Sequence, residues 1–128
     1  MQISKKTQYG MRAMVLLAKN YKSKRIVSLR EISQKELIPF DFLEKIISQL
    51  QKAKLLKGIK GVSGGYILSK DPKKITAKDI VDVLEETTSV NCVLCGKKSK
   101  CASRNVWIKV DLALSKALKS VKLSNLTK

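Results

Sequence analysis

Histidine is absent from this chain of 128 residues, and carboxylates are scarce, with 10 Asp and Glu against 27 Lys and Arg. Without imidazole, and with no acid–base pair converging on a plausible nucleophile, the usual hydrolytic constellations cannot be assembled, so no enzyme is expected. No apolar run approaches the roughly 18 residues that a membrane-spanning helix needs. The opening stretch, MQISKKTQYGMRAMVLLAKN, is broken by Arg12 and closed by Lys19, and no small-residue cleavage site follows, so it does not read as a signal peptide. Aromatic residues make up 5% of the chain, and one Trp and two Phe supply no wedge for planting a basic helix in a lipid surface. Low-complexity tracts and internal repeats are missing. Cysteines number three, an odd count that argues against a structural disulfide framework, and a cytoplasmic protein with reduced thiols is expected.

What is present is positive charge. The formal net charge is +17, and residues 1–70 carry 15 basic and 4 acidic groups while residues 71–128 carry 12 and 6. Such an imbalance calls for an acidic partner, whether nucleic acid, an anionic surface or an acidic protein, although a lysine-rich proteome produces basic chains too. The length and the apolar fraction of 44% suit one hydrophobic core, or a small core with an extension.

Hydrophobic spacing predicts a helix over 4–20, where Tyr9, Ala13, Leu16 and Leu17 share a face widened by Met14, Val15 and Ala18. After the polar NYKSKR loop, Ser28-Leu-Arg-Glu31 has the form of a capping box and predicts a short helix over 28–36. Ile38-Pro39 interrupts it, because the residue before proline is pushed away from the helical region. Pro39 also suits the opening turn of the next helix, Phe40 to Ala53. Leu43, Ile46, Ile47 and Leu50 line one side of that helix, leaving Asp41, Glu44, Lys45, Ser48 and Lys52 outside. Two short helices so joined are a helix-turn-helix pattern, which any small helical bundle can also contain.

The segment LLKGIKGVSGGYILSKDP narrows the choice. Leu55–Ile59 and Tyr66–Leu68 read as strands around a glycine-rich loop, and the stretch stops at Asp71-Pro72. Helix-turn-helix followed by hairpin is a winged helix, with Lys57 and Lys60 placing charge on the wing to meet phosphate. GVSGGY opens no helix and lacks the lysine of a phosphate-binding loop, so a nucleotide site is rejected. Thr76-Ala-Lys-Asp79 predicts a capped helix through Glu86, with Ile80, Val83 and Leu84 inward. Beyond it, Val106, Val110, Ala113, Leu114, Ala117, Leu118 and Val121 recur at helical spacing. That long apolar stripe needs a cover; a second copy of the same helix is the simplest, which predicts a two-fold dimer, and folding back on the first helix of the same chain is the alternative and compatible cover.

Between these helices lies NCVLCGKKSKC, which holds Cys92, Cys95 and Cys101 at C-x2-C-x5-C spacing. Thiolates gathered by a flexible loop suit a soft metal centre, and Lys97, Lys98, Lys100 and Arg104 would favour thiolate over thiol. Structural zinc asks for four closed ligands. Redox thiols and inert cysteines remain open readings of the same residues.

YGMRAM, IPFDFLEKIISQLQKAKLL, KGVSGGYILSKDPKKITAKDIVDVLE, the cysteine group and the tryptophan of NVW together resemble the Rrf2 family of bacterial winged-helix regulators across nearly the whole chain. The resemblance implies a mainly α fold with a small β-hairpin wing, in which a winged helix-turn-helix DNA-binding domain is followed by a long C-terminal dimerisation helix. It divides the chain into a DNA-binding domain (1–86), a cysteine-bearing loop (87–101) and a dimerisation helix with its tail (102–128). It implies a homodimer on a double-stranded DNA operator, with no membrane involvement. Phe40, Asp41, Glu44, Lys45 and Ser48 become candidates for base edges and nearby phosphates, with Lys60 at the wing tip. Lys5, Lys6, Ser28 and Arg30 become phosphate contacts. Glu44 could accept from cytosine N4 or be a plain solvated charge.

The family's sensor members carry three cysteines in this loop, which implies an iron–sulfur cluster, [2Fe–2S] or [4Fe–4S], on Cys92, Cys95 and Cys101. Three departures stand against that. The first spacing is shorter than in those members. Arg104 occupies the place where some relatives have a ligand histidine, and Thr7-Gln8-Tyr9 lacks the acidic residue that another branch borrows from the partner subunit. Glu85 or Glu86, a cross-subunit group or a solvent ligand are the remaining sources of a fourth ligand. Such a cluster implies a regulator that senses redox, nitric oxide or iron–sulfur status, and a regulator without a cluster, controlled by thiol redox or by a protein partner, is the alternative.

Overall fold

The structure is a computed structural model and describes residues 3–85 and 103–127. Its elements in chain order are α1 (Lys5–Lys19), α2 (Leu29–Glu36), α3 (Phe40–Lys52), β1 (Leu56–Ile59), β2 (Gly65–Leu68), α4 (Ala77–Leu84) and α5 (Arg104–Lys119). Short 3-10 turns lie at Pro72–Lys74 and Leu123–Leu126.

α1 is the central strut. Ala13, Met14 and Leu17 are buried, as its broad apolar stripe requires, and they meet Leu43, Ile46, Ile47 and Leu50 of α3 together with Ile80 and Leu84 of α4. Gly10 permits the close crossing: a Cβ there would fall on Leu84 Cδ1 and stand 3.3 Å from Ile46 Cγ2. Thr76 and Asp79 form the reciprocal capping box read from the sequence and start α4. The helix ends at Leu84, with Glu85 extended.

Three features were not anticipated. Val27 makes an isolated antiparallel bridge to Tyr66, which ties the segment before α2 to the wing. After α5, Thr76 bridges Lys122, and Leu123 is fully buried in the same core as α1 and α4. The chain end therefore returns to the head, while α5 packs on α4 and contributes no fully buried residue. Val110, Leu114, Leu118 and Val121 of the expected stripe are half-buried. Val106, Trp107, Ile108 and Leu112 stand 37–65% exposed.

Candidate nucleic-acid interface

The turn between α2 and α3 is fixed by backbone geometry. Leu37 adopts a left-handed conformation (φ 54°), and its N–H donates to the Ser33 carbonyl, closing α2. Ser33 Oγ donates to the Ile38 carbonyl at 2.6 Å, and Ile38 turns into the core. Pro39 is the N-cap of α3, one position earlier than the first-turn place expected of it. Its extended ψ of 131° keeps it just outside the helix.

α3 buries Leu43, Ile46, Ile47 and Leu50 and leaves Asp41, Glu44, Lys45 and Ser48 exposed together on its outer face. Phe40 begins the helix with 42% of its surface exposed. This is the arrangement the 3.6-residue period implied.

Ser28 caps α2, its Oγ accepting from the Glu31 N–H at 3.1 Å. The capping box expected of Ser28 and Glu31 is only half made. The Glu31 carboxylate instead takes Arg25 at 2.6 Å and Lys35 at 3.0 Å, two cations that outcompete a single backbone N–H. The Arg25 hydrogen bond, with help from Lys35, holds the Glu31 carboxyl below the usual carboxylate range. Arg30, one position before Glu31, is exposed.

The wing pairs Leu56 with Leu68, Lys57 with Ile67, Gly58 with Tyr66 and Ile59 with Gly65. Gly61 turns the loop at φ 119°, a conformation that suits glycine. Gly65 passes so near Val27 that a Cβ would lie 2.6 Å from its carbonyl carbon. Lys57 and Lys60 are exposed, as is Val62 at the tip. Lys5, also exposed, and Lys6, half-buried, open α1.

Cys92, Cys95 and Cys101 lie outside the described residues, as does Glu86. Among the described residues no group of three or more Cys, His, Asp or Glu could hold a metal ion. Three soft thiolates fit cluster or metal chemistry, but Glu85 is already engaged as a potential fourth donor. Its carboxylate accepts from Ser4 N at 3.2 Å, from Ser4 Oγ at 3.0 Å and from Thr7 Oγ1. The Thr7 hydrogen bond, assisted by Ser4, keeps its carboxyl below the usual range. This clasp joins the end of α4 to the start of α1, beside the Thr7-Gln8-Tyr9 stretch. It was missed because its partners stand 78 and 81 positions apart.

A helix-turn-helix whose second helix presents a polar face, backed by a two-stranded hairpin, defines a winged-helix protein. Residues 3–128 match the Rrf2 family, described as "Iron-dependent Transcriptional regulator". The chain is 38% identical over 126 residues to the HTH-type transcriptional regulator CymR of Bacillus subtilis (strain 168), covering 98% of this chain and 89% of that protein. The solved structure of CymR, the global cysteine regulator of B. subtilis, superposes with a TM-score of 0.86 at 37% identity, covering 99% of this chain and 96% of that one. T. potens IscR gives a TM-score of 0.81 at 32% identity, with 98% and 85% covered. The oxidized form of Staphylococcus aureus CymR gives 0.82 at 29%, with 100% and 97% covered. This chain belongs to the Rrf2 family and is a transcriptional regulator of that family. No helix among its described residues is long and apolar enough to cross a membrane.

Proposed function

We propose that the protein reads double-stranded DNA by sequence as a homodimer in the cytoplasm, with its cysteine segment as the sensor. The observation that carries this reading is the outer face of α3, where Asp41, Glu44, Lys45 and Ser48 stand exposed together beside a lysine-bearing wing on a chain of net charge +17. In this reading α3 enters the major groove. Glu44 accepts from cytosine N4, the exposed ring of Phe40 meets a thymine methyl, and Ser48 and Asp41 reach neighbouring edges. Lys45, Lys60, Ser28, Arg30, Lys5 and Lys6 hold phosphates and set the register.

Residues 1–86 then form the reading head, 87–101 the sensing loop and 102–128 the dimerisation helix and tail. The exposed apolar side chains of α5, Trp107 and Leu112 among them, need a cover, and a second copy of the helix supplies it.

Two chemistries fit the three thiols. An iron–sulfur cluster on Cys92, Cys95 and Cys101 is supported by the description of the family and by the likeness to IscR. Such a cluster would supply a charge and redox state that responds to oxidants or iron supply. Thiol exchange without a cluster is supported by the likeness to a cysteine regulator and to a relative studied in an oxidized form. The lack of histidine and the engagement of Glu85 also favour it.

Anaerobic purification, a visible absorption spectrum and titration of duplex DNA decide between them. Iron-linked absorbance that is lost in Cys92→Ala selects the cluster. A colourless protein with a reversible Cys92–Cys95 bridge by mass spectrometry selects thiol exchange. A colourless protein whose duplex affinity is unchanged by oxidant or by Cys92→Ala removes the sensor and leaves the DNA reader standing.

A further inference from the structure

A cavity of about 380 Å³ opens between the α1–α2 connection and the base of the wing, and of its lining only Lys57 is also a residue the DNA reading expects to meet phosphate. Its floor is apolar, made by Leu17, Tyr21, Ile67 and Leu68. Its rim is cationic: Lys22, Lys24, Arg25 and Lys57 surround the opening, and no carboxylate among the described residues lines it. Among the described ion pairs only Arg25 of these four has an acidic partner, Glu31. The other polar walls are committed, since Asn20 Nδ2 donates to the Leu16 carbonyl at 2.8 Å and Ser69 Oγ to the Lys54 carbonyl. A second cavity beside α1, of about 320 Å³, has Glu36 beside Arg12 and Lys19 and so lacks this single sign.

The cavity has the size of a small-molecule site. A greasy floor under unpaired ammonium groups selects an occupant with a compact apolar body and one anionic head. The body removes water from the half-exposed Tyr21 and Ile67, while the head makes charge-assisted hydrogen bonds with lysines that have no carboxylate partner among the described residues. We infer that this cavity is a binding site for a small amphipathic organic anion.

The walls also bear on the reading elements. The 20–27 segment is fixed by the Arg25 N–H to Asn20 carbonyl bond at 3.2 Å and by the Val27–Tyr66 bridge, and Arg25 grips Glu31 in the first turn of α2. An occupant touching Arg25 and Lys57 contacts the supports of α2 and of the wing at once. Duplex phosphate is the rival ligand for these cations, but a phosphate backbone would leave the apolar floor unfilled.

The test uses the full-length protein free of DNA, so its outcome is independent of the DNA reading. Two-dimensional amide spectra are recorded during titration with hexanoate, hexyl phosphate and the uncharged hexanamide. Either anion should shift the amides of 21–25, Lys57 and Ile67, and hexanamide should bind at least about tenfold more weakly. Lys22→Glu with Lys57→Glu should weaken the anion about tenfold or more. The single Lys22→Gln, a milder exposed change, should move affinity the same way if the double variant misfolds. A carboxylate or phosphate preference identifies the natural head group. The inference is overturned if neither anion shifts these amides, if hexanamide binds equally well, or if the lysine variants bind as tightly as the parent.

Discussion

The clasp between Glu85 and the start of α1 can be measured as a coupling energy. Thr7 is 1% exposed and donates its hydroxyl to Glu85, while Ser4 adds its backbone N–H and its own hydroxyl. A hydrogen bond to a charged acceptor contributes roughly 1.5–3 kcal/mol, and a carboxylate near a helix N-terminus about 0.3–1 kcal/mol. Glu85 is only half-buried and rehydrates when its partner is lost, so the lower end applies. Thr7→Val and Glu85→Gln should each cost about 1–2 kcal/mol, and the double variant should cost less than their sum by about 1 kcal/mol. In urea, with a slope of roughly 1–1.5 kcal/mol/M, each single change should lower the midpoint by about 1 M without altering the slope.

The pH dependence has a definite sign. The folded-state pKa of Glu85 is lowered from 4.5, so its contribution is complete above that value and is lost as pH falls through the depressed one. The gap between parent and Glu85→Gln should therefore narrow as pH falls through the depressed pKa. Equal midpoints at neutral pH, additive double-mutant costs, or a gap that widens on acidification would refute the clasp.

Other expectations follow from the same geometry. Gly65→Ala should destabilise by about 1–3 kcal/mol in thermal or urea melts, because the added carbon meets backbone, 2.6 Å from the Val27 carbonyl carbon and 2.9 Å from Ser28 N. Lys60→Ala should weaken duplex binding across sequences and reduce the log–log salt slope by about 0.9, checked by anisotropy titrations at several ionic strengths. Leu112→Glu, on the exposed side of α5, should shift a dimer toward monomer in sedimentation while leaving the head folded.

The parts legible in the sequence were those with local periodic or turn chemistry. The α3 stripe of Leu43, Ile46, Ile47 and Leu50 and the glycines before Tyr66 fixed a helix and a hairpin within a residue or two of their observed bounds. The Thr76–Asp79 box formed as read, but the Ser28–Glu31 box did not close, because Arg25 and Lys35 come within reach only once the loop and helix have folded. The Val27 bridge, the return of Leu123 to the core and the Glu85 clasp depend on partners far along the chain and leave no local pattern. On α5 the stripe of Val110, Leu114 and Leu118 obscured the other apolar side, where Ile108 and Leu112 project. The cavity rim joins Lys22 and Lys24 with Lys57, which no linear motif connects.

Selection of bound fragments from a random duplex library tests the DNA reading most directly. The recovered sequences should contain an inverted repeat whose half-site centres lie about 10–10.5 base pairs, or a multiple, apart. Glu44→Ala should relax the preference at one cytosine in each half while keeping the spacing. Recovery of no shared motif from a protein that is folded and dimeric would contradict the assignment of α3 as a sequence reader.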